Sequence, residues 1–284
     1  MGTSSGSPLQ IGQRLGSYRI DALLGVGGMG AVYCARDRAL RRTVAIKVVD
    51  RADAAARRAL LQEARIAASL CHPGICSVHE VGCIGDQPFI VMEHVAGEPL
   101  SAVIPQGRGL PLETALHYAL QIVDAVAHAH AHGVVHRDLK SANVMVGDGG
   151  VVKILDFGLA TCQVAVDPDS ETTRTETPSS SGAGTIPYMA PEILCGRRAG
   201  PRSDVWALGV LIHEMIAGSR PFAGATRYEV AAAILERAPA PLPAHVPAAL
   251  RRVIARCLEK TIDERFASAR QLAAALDELP APLV

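Results

Sequence analysis

The chain has 284 residues, 49% of them hydrophobic, and its 28 lysines and arginines are balanced by 28 aspartates and glutamates. A formal charge of zero argues against a general nucleic-acid binder, which carries a basic surplus, and gives no support to a polybasic membrane patch. No apolar run approaches the ~18 residues of a membrane span, and the length allows one large or two smaller domains.

The opening "MGTSSGSPLQ" lacks the basic start and apolar core of a signal peptide, so residues 1–14 read as a flexible leader. The cysteines are scattered (Cys34, Cys71, Cys76, Cys83, Cys162, Cys195, Cys257), with no Cys-x-x-Cys pair. They fit small core residues in a reducing cytoplasm better than a disulfide framework or a zinc site.

Next come "SYRIDALLG" and "AVYCARD", two strand-like runs on either side of Gly25-x-Gly27-x-x-Gly30. "TVAIKVVD" follows as a third strand, rich in β-branched residues. Over 54–70 the apolar spacing predicts a helix, stopped by Pro73 and Gly74, with strands again at 76–82 and 87–93. Beyond "VAGEPL" the pattern turns helical, over 112–132, 202–218, 226–236, 247–259 and 268–278. A small β-rich part thus precedes a larger helical part, joined near residues 93–98.

Some local signals have plain readings. His128 and His132 have the i, i+4 spacing of a metal clamp, but no third ligand neighbours them in sequence, and they read as a helix end. His72, before Pro73, reads as a helix-terminus residue. The arginines at 41–42, 57–58 and 197–198 read as solvated faces. The polar run 162–184, rich in serine and threonine, predicts a mobile loop.

The glycine loop has the spacing used where backbone must approach phosphates, those of a dinucleotide or of ATP. A dinucleotide fold needs a helix after the glycine turn and an acid about 20 residues on. Asp50 has that spacing, yet "AVYCARD" is β-prone. A Walker-type loop fails too, since no Gly-Lys-Ser/Thr follows. Two strands joined by the turn make a flap instead. Downstream lie Lys47 in "VAIK", Glu63 in the predicted helix, "HRDLKSAN" at 136–143, "DFG" at 156–158 and "APE" at 190–192. Lysine in an apolar strand calls for a partner, and Glu63 is the natural one.

In these motifs, their order and their spacing, residues 15–278 resemble the eukaryotic-like (Hanks-type) serine/threonine protein kinases, in particular their bacterial branch. The resemblance implies an α+β, two-lobed fold. Its N-lobe would span 15–95 and its C-lobe 96–278, with an activation segment at 156–192 and a Pro-rich tail at 279–284. It implies transfer of the ATP γ-phosphate to Ser/Thr hydroxyls of proteins, with a pseudokinase acting as an ATP-binding or scaffolding module as the alternative.

By the same resemblance, Asp138 would accept the substrate hydroxyl proton and Lys140 would neutralise the moving phosphoryl group. Lys47 would hold the α/β-phosphates, with Glu63 fixing it. Leu24, Gly25, Val26, Gly27, Gly28, Met29, Gly30, Ala31 and Val32 would cover ATP, Ala45 and Met145 would wall the adenine, and Glu93-His94-Val95 would form the hinge behind Met92. Asn143 and Asp156 would hold Mg²⁺, or Mn²⁺ in its place. Thr185 would touch Asp138 and Lys140, Asp204 would brace the catalytic loop, and Glu192 and Arg265 would form a buried ion pair. Autophosphorylation is expected among Thr172, Thr173, Thr175, Thr177, Ser179, Ser180 and Ser181, opposite Arg137. The remaining implications are protein partners including the chain itself, no nucleic acid, no membrane span in this chain, a cytoplasmic kinase domain, and the small-lobe dimerisation common among such kinases.

Overall fold

A computed structural model describes residues 9–27, 30–49, 54–85, 87–157 and 185–279. The chain divides into two compact units. One holds the described residues up to Cys71 together with Cys76–Val95, and the other holds His72–Ile75 and the described residues from Ala96 onward.

The first unit is a six-stranded antiparallel sheet with one helix. Its strands are β1 (Arg14–Leu15), β2 (Tyr18–Gly27), β3 (Gly30–Asp37), β4 (Arg42–Val49), β5 (Val78–Ile84) and β6 (Gln87–Glu93), in the order β1-β2-β3-β4-β6-β5. Side chains alternate across a strand, so one face gathers Ile20, Tyr33, Ala35, Val44, Ile46, Val48, Phe89 and Val91 into a core. The intervening residues, including Val32, Ala45, Lys47 and Met92, take the other face, where Val32 pairs with Lys47 and Ala45 with Met92. Helix α1 (Ala54–Ala67) buries Leu60, Ala64 and Ala67 at helical spacing.

The expected leader needs correction from residue 9 onward. Leu9 packs on the sheet core, and its N–H donates to the Tyr33 hydroxyl at 3.1 Å. Gly12 N–H donates to Ile20 O at 2.8 Å, and Arg14–Leu15 pair with β2. Leu9 and Leu15, partly buried against the sheet core, tie down a stretch expected to be a flexible leader.

The second unit carries a small sheet of β7 (Glu98–Pro99), β8 (Val144–Val146) and β9 (Val152–Ile154). Its helices are α2 (Leu100–Val103), α3 (Leu112–Ala131), α4 (Pro191–Leu194), α5 (Pro201–Ala217), α6 (Arg227–Glu236), α7 (Ala248–Cys257) and α8 (Ala269–Asp277). Helix α3 buries Ala115, Leu116, Ala119, Ile122, Val123 and Val126, an apolar stripe for α5 and α8. Helix α5 is buried along most of its length, its polar Ser203, Asp204 and His213 included. A Cβ on Gly209 would stand 2.5 Å from the Cys257 Cβ, so only glycine lets α5 and α7 approach this closely. No helix among the described residues is long and apolar enough to cross a membrane.

Candidate active site

Alternation and register set the geometry of the second unit's polar loop. In the β8–β9 hairpin Val144 pairs with Ile154, and Leu155 N–H donates to Asn143 O at 2.8 Å, extending the ladder by one step. Asn143 and Asp156 therefore leave the hairpin at the same end. Asp156 takes φ +58° and Arg137 φ +70°, left-handed conformations that a non-glycine residue holds only where its surroundings over-determine it.

Asp204, near the start of α5, supplies that restraint for Arg137. Its carboxylate is 1% exposed and accepts from the backbone N–H groups of His136 (2.8 Å) and Arg137 (3.0 Å). His130 Nε2 adds a third bond to it at 2.8 Å, while Ala269 N–H points at His130 Nδ1 at 3.5 Å. The fully buried His136 accepts at Nδ1 from Asp138 N–H (3.2 Å), so its Nε2 carries the hydrogen that it donates to Leu155 O (3.0 Å). A buried ring thus ties the loop to the residue before Asp156, and it rests on Phe157 at 4.6 Å between centroids.

Asp138 is held through one side. Lys140 Nζ donates to its Oδ2 at 2.7 Å, and Asn143 Nδ2 donates to its main-chain O at 2.8 Å and to Oδ2 at 3.1 Å. Its other carboxylate oxygen, Oδ1, is buried with no hydrogen-bond partner among the described residues. A buried acceptor left open costs about 1–3 kcal/mol, so the arrangement is one that a donor from outside would relieve. Lys140 Nζ also reaches Thr185 Oγ1 at 2.9 Å, so Thr185 meets Asp138 through the lysine. Asn143 and Asp156, residues at one hairpin end, carry the hard oxygen ligands that a magnesium ion takes; the donor set fits.

In the first unit, Lys47 is 7% exposed on the sheet face opposite the core, shared with Val32 and Ala45. Leu24 and Val26 are exposed at 52% and 75%, apolar side chains with no cover of their own on the glycine hairpin. Around Gly25 and Gly27 an added Cβ meets nothing within 4 Å among the described residues, whereas at Gly30 it would stand 2.0 Å from the Val48 carbonyl oxygen. Gly30, at φ +122°, is thus required by the sheet itself. Ala31 pairs with Val26 across the hairpin. Glu93 ends β6 with its N–H on Ser77 O at 2.9 Å, and the expected hinge to Val95 continues from it. Met145 lies in β8 of the second unit. Gly28, Met29, the Glu63 side chain and the serines and threonines from 172 to 181 lie outside the described residues.

Sequence reasoning matched the Glu192–Arg265 pair and missed His130. Glu192 and Arg265 meet in a two-pronged ion pair of 2.9 and 2.8 Å. His130 sits among other histidines at a helix end, and its contact with Asp204, 74 residues away in sequence, distinguishes it. The neighbouring His128 and His132 rings are 4.4 Å apart, and His72, hydrogen-bonded to Asp124, lies 5.0 Å from His128. Burial first, then the neighbouring histidines, pushes the His128 imidazole below its ordinary pKa. Among the described residues no group of three or more His, Cys, Asp or Glu side chains could hold a metal ion.

A β-sheet unit with a glycine hairpin and buried lysine, and a helical unit with a braced aspartate loop, together define a class. The family model of the protein kinase domain matches residues 18–275, and the chain belongs to that family and has its two-lobed α+β fold. Among its relatives, the serine/threonine-protein kinase PknA of Mycobacterium tuberculosis is 40% identical over 261 residues, covering 89% of this chain and 59% of PknA. PknD of the same organism is 38% identical over 273 residues (94% of this chain, 40% of PknD). PrkC of Bacillus subtilis is 36% identical over 274 residues (93% and 41%). The chain therefore spans three-fifths or less of the length of these relatives.

Proposed function

We propose that this chain is a serine/threonine protein kinase domain that transfers the γ-phosphoryl group of ATP to Ser/Thr hydroxyls of proteins, its own included. The observation carrying this reading is the Asp138 carboxylate, fixed at Oδ2 by Lys140 and Asn143 and open at a buried Oδ1. Such a group accepts a hydrogen bond from an incoming hydroxyl and takes its proton as the oxygen attacks. Lys140, bonded to Asp138 and to Thr185, places a cation where charge develops on the moving phosphoryl group.

On the first unit, the open backbone at Gly25 and Gly27 admits phosphates and Lys47 supplies their cation, with Glu63 as its partner. Val32, Ala45, Leu24 and Met145 are the adenine-contacting side chains of this reading. On the second, Asn143 and Asp156 hold the magnesium ion, which when bound neutralises the phosphate oxygens; manganese has the same oxygen chemistry. Phosphorylation of the chain falls on Thr175, Thr177 or Ser179, where a phosphate can pair with Arg137. A mapped set of phosphosites lying wholly outside 161–185 would sink that part.

The test is transfer from labelled ATP with Mg²⁺, comparing the chain with Asp138→Asn, each alone and with a generic basic protein. Label on Ser/Thr with the native chain only is the expected result. ATP bound by both with no label in either returns the pseudokinase.

A further inference from the structure

We infer that the Ser141–Tyr188 hydroxyl pair is a positioning pair that locks the Asp138 carboxylate to the chain around Thr185, a role resting on the kinase reading above. Ser141 is 2% exposed and directly follows Lys140. Its Oγ lies 2.8 Å from the Tyr188 hydroxyl, 47 residues along the chain. The Tyr188 hydroxyl in turn bonds to Glu214 Oε2, on α5.

The direction of this chain of bonds is fixed by its end. A carboxylate only accepts, so Tyr188 donates to Glu214 and must accept from Ser141. The order Ser141 to Tyr188 to Glu214 has one proton arrangement, and bonds aligned head to tail strengthen one another. Arg220 flanks Glu214 on the far side, with Nε 3.4 Å from Oε1 and its guanidinium 5.3 Å from the Tyr188 ring. Burial first, then the adjacent Glu214 carboxylate, raises the Tyr188 phenol to about 12, so it keeps its hydrogen throughout the working pH range.

What gives the pair its role is the ring it closes. From Asp138 one arm runs through Lys140 Nζ to Thr185 Oγ1, and Tyr188 N–H returns to Thr185 O at 3.0 Å. The other arm runs through Asn143, whose side chain holds Asp138 and whose N–H closes the Ser141–Asn143 turn on Lys140 O at 2.9 Å. Ser141 and Tyr188 are where the two arms meet. Without that bond, the turn carrying Asn143 and the segment carrying Thr185 can shift independently, and Asp138 loses its aim. Displacements of this kind, made away from the reacting atoms, lower turnover without weakening nucleotide binding.

The experiment measures kcat, KM for ATP and Tm for the native chain, Ser141→Ala, Tyr188→Phe and the double variant. Each single change is expected to lower kcat about tenfold or more while KM for ATP stays within about twofold. The double variant should fall little further than Tyr188→Phe, which already loses the Ser141 bond together with the one to Glu214. If the native chain transfers no phosphate, the kinase reading fails and the pair's role falls with it. With an active native chain, three results overturn the pair alone: kcat of Ser141→Ala within about twofold of native, multiplicative losses in the double variant, or losses that merely follow Tm.

Discussion

Replacing Arg265 with methionine tests the buried ion pair that ties α4 to the loop before α8. The Arg265 side chain is 0% and that of Glu192 5% exposed. All five guanidinium N–H groups are used: Nη1 and Nη2 on the Glu192 oxygens and on the carbonyls of Arg202 and Lys260, and Nε on Glu259 O at 2.7 Å. Arg265→Met keeps length and apolar contact but leaves Glu192 with the Ser203 hydroxyl as its remaining side-chain partner, at 2.8 Å. Stranding one member of a buried pair costs about 3–5 kcal/mol, a large share of a typical stability of about 5–15. At roughly 2–4 °C per kcal/mol for a chain of this size, Tm should fall by about 6–20 °C.

Thermal and urea unfolding of Arg265→Met, Glu192→Leu and the double variant form the assay. The orphaned carbonyls recur in both Arg265 variants and cancel, so the double should recover more than about 1 kcal/mol relative to the sum of the singles. Acid adds an independent readout. Burial works to raise the Glu192 carboxyl, but the Arg265 bonds, its own backbone and Ser203 outweigh it and hold the group below its ordinary 4.5. Its contribution is therefore present above about pH 4.5 and lost as pH falls through the lowered value, a loss that Arg265→Met should lack. Single variants costing under about 1 kcal/mol, or strictly additive losses, would refute the reasoning.

Gly30→Ala should unfold or strongly destabilise the first unit, since its Cβ meets Val48 O at 2.0 Å, while Gly25→Ala should keep Tm and lose ATP affinity in a binding titration. Equal Tm losses at both positions would contradict this. His130→Ala removes one of three bonds to Asp204 and should cost about 1–3 kcal/mol in stability, with a lower kcat, in a denaturant melt paired with a transfer assay. His128, held below its ordinary 6.5, favours folding when uncharged, so its contribution is full above about pH 6.5 and erodes as pH falls further. The slope of Tm against pH between 5 and 7 should therefore flatten in His128→Gln, and an unchanged slope would remove the histidine from the account.

Much of this protein is written in short stretches of its sequence. Apolar alternation placed the strands around the glycine turn, and helical spacing placed 112–132, seen as Leu112–Ala131, because these periods are set by backbone geometry within a few residues. His136 to Asn143 and Asp156 were legible through the resemblance to a known family, whose motifs hold these residue types at fixed offsets. Tertiary structure decided what those offsets cannot encode. It set which Asp138 oxygen is held and which is open, that Gly30 answers to Val48, and that residues 9–15 join the sheet. It also decided that His130 serves Asp204, and that Ser141 meets Tyr188 across 47 residues. Each of these is a contact between segments distant in the chain. Local sequence sets the conformations a segment can adopt, and only packing selects the neighbour that it meets.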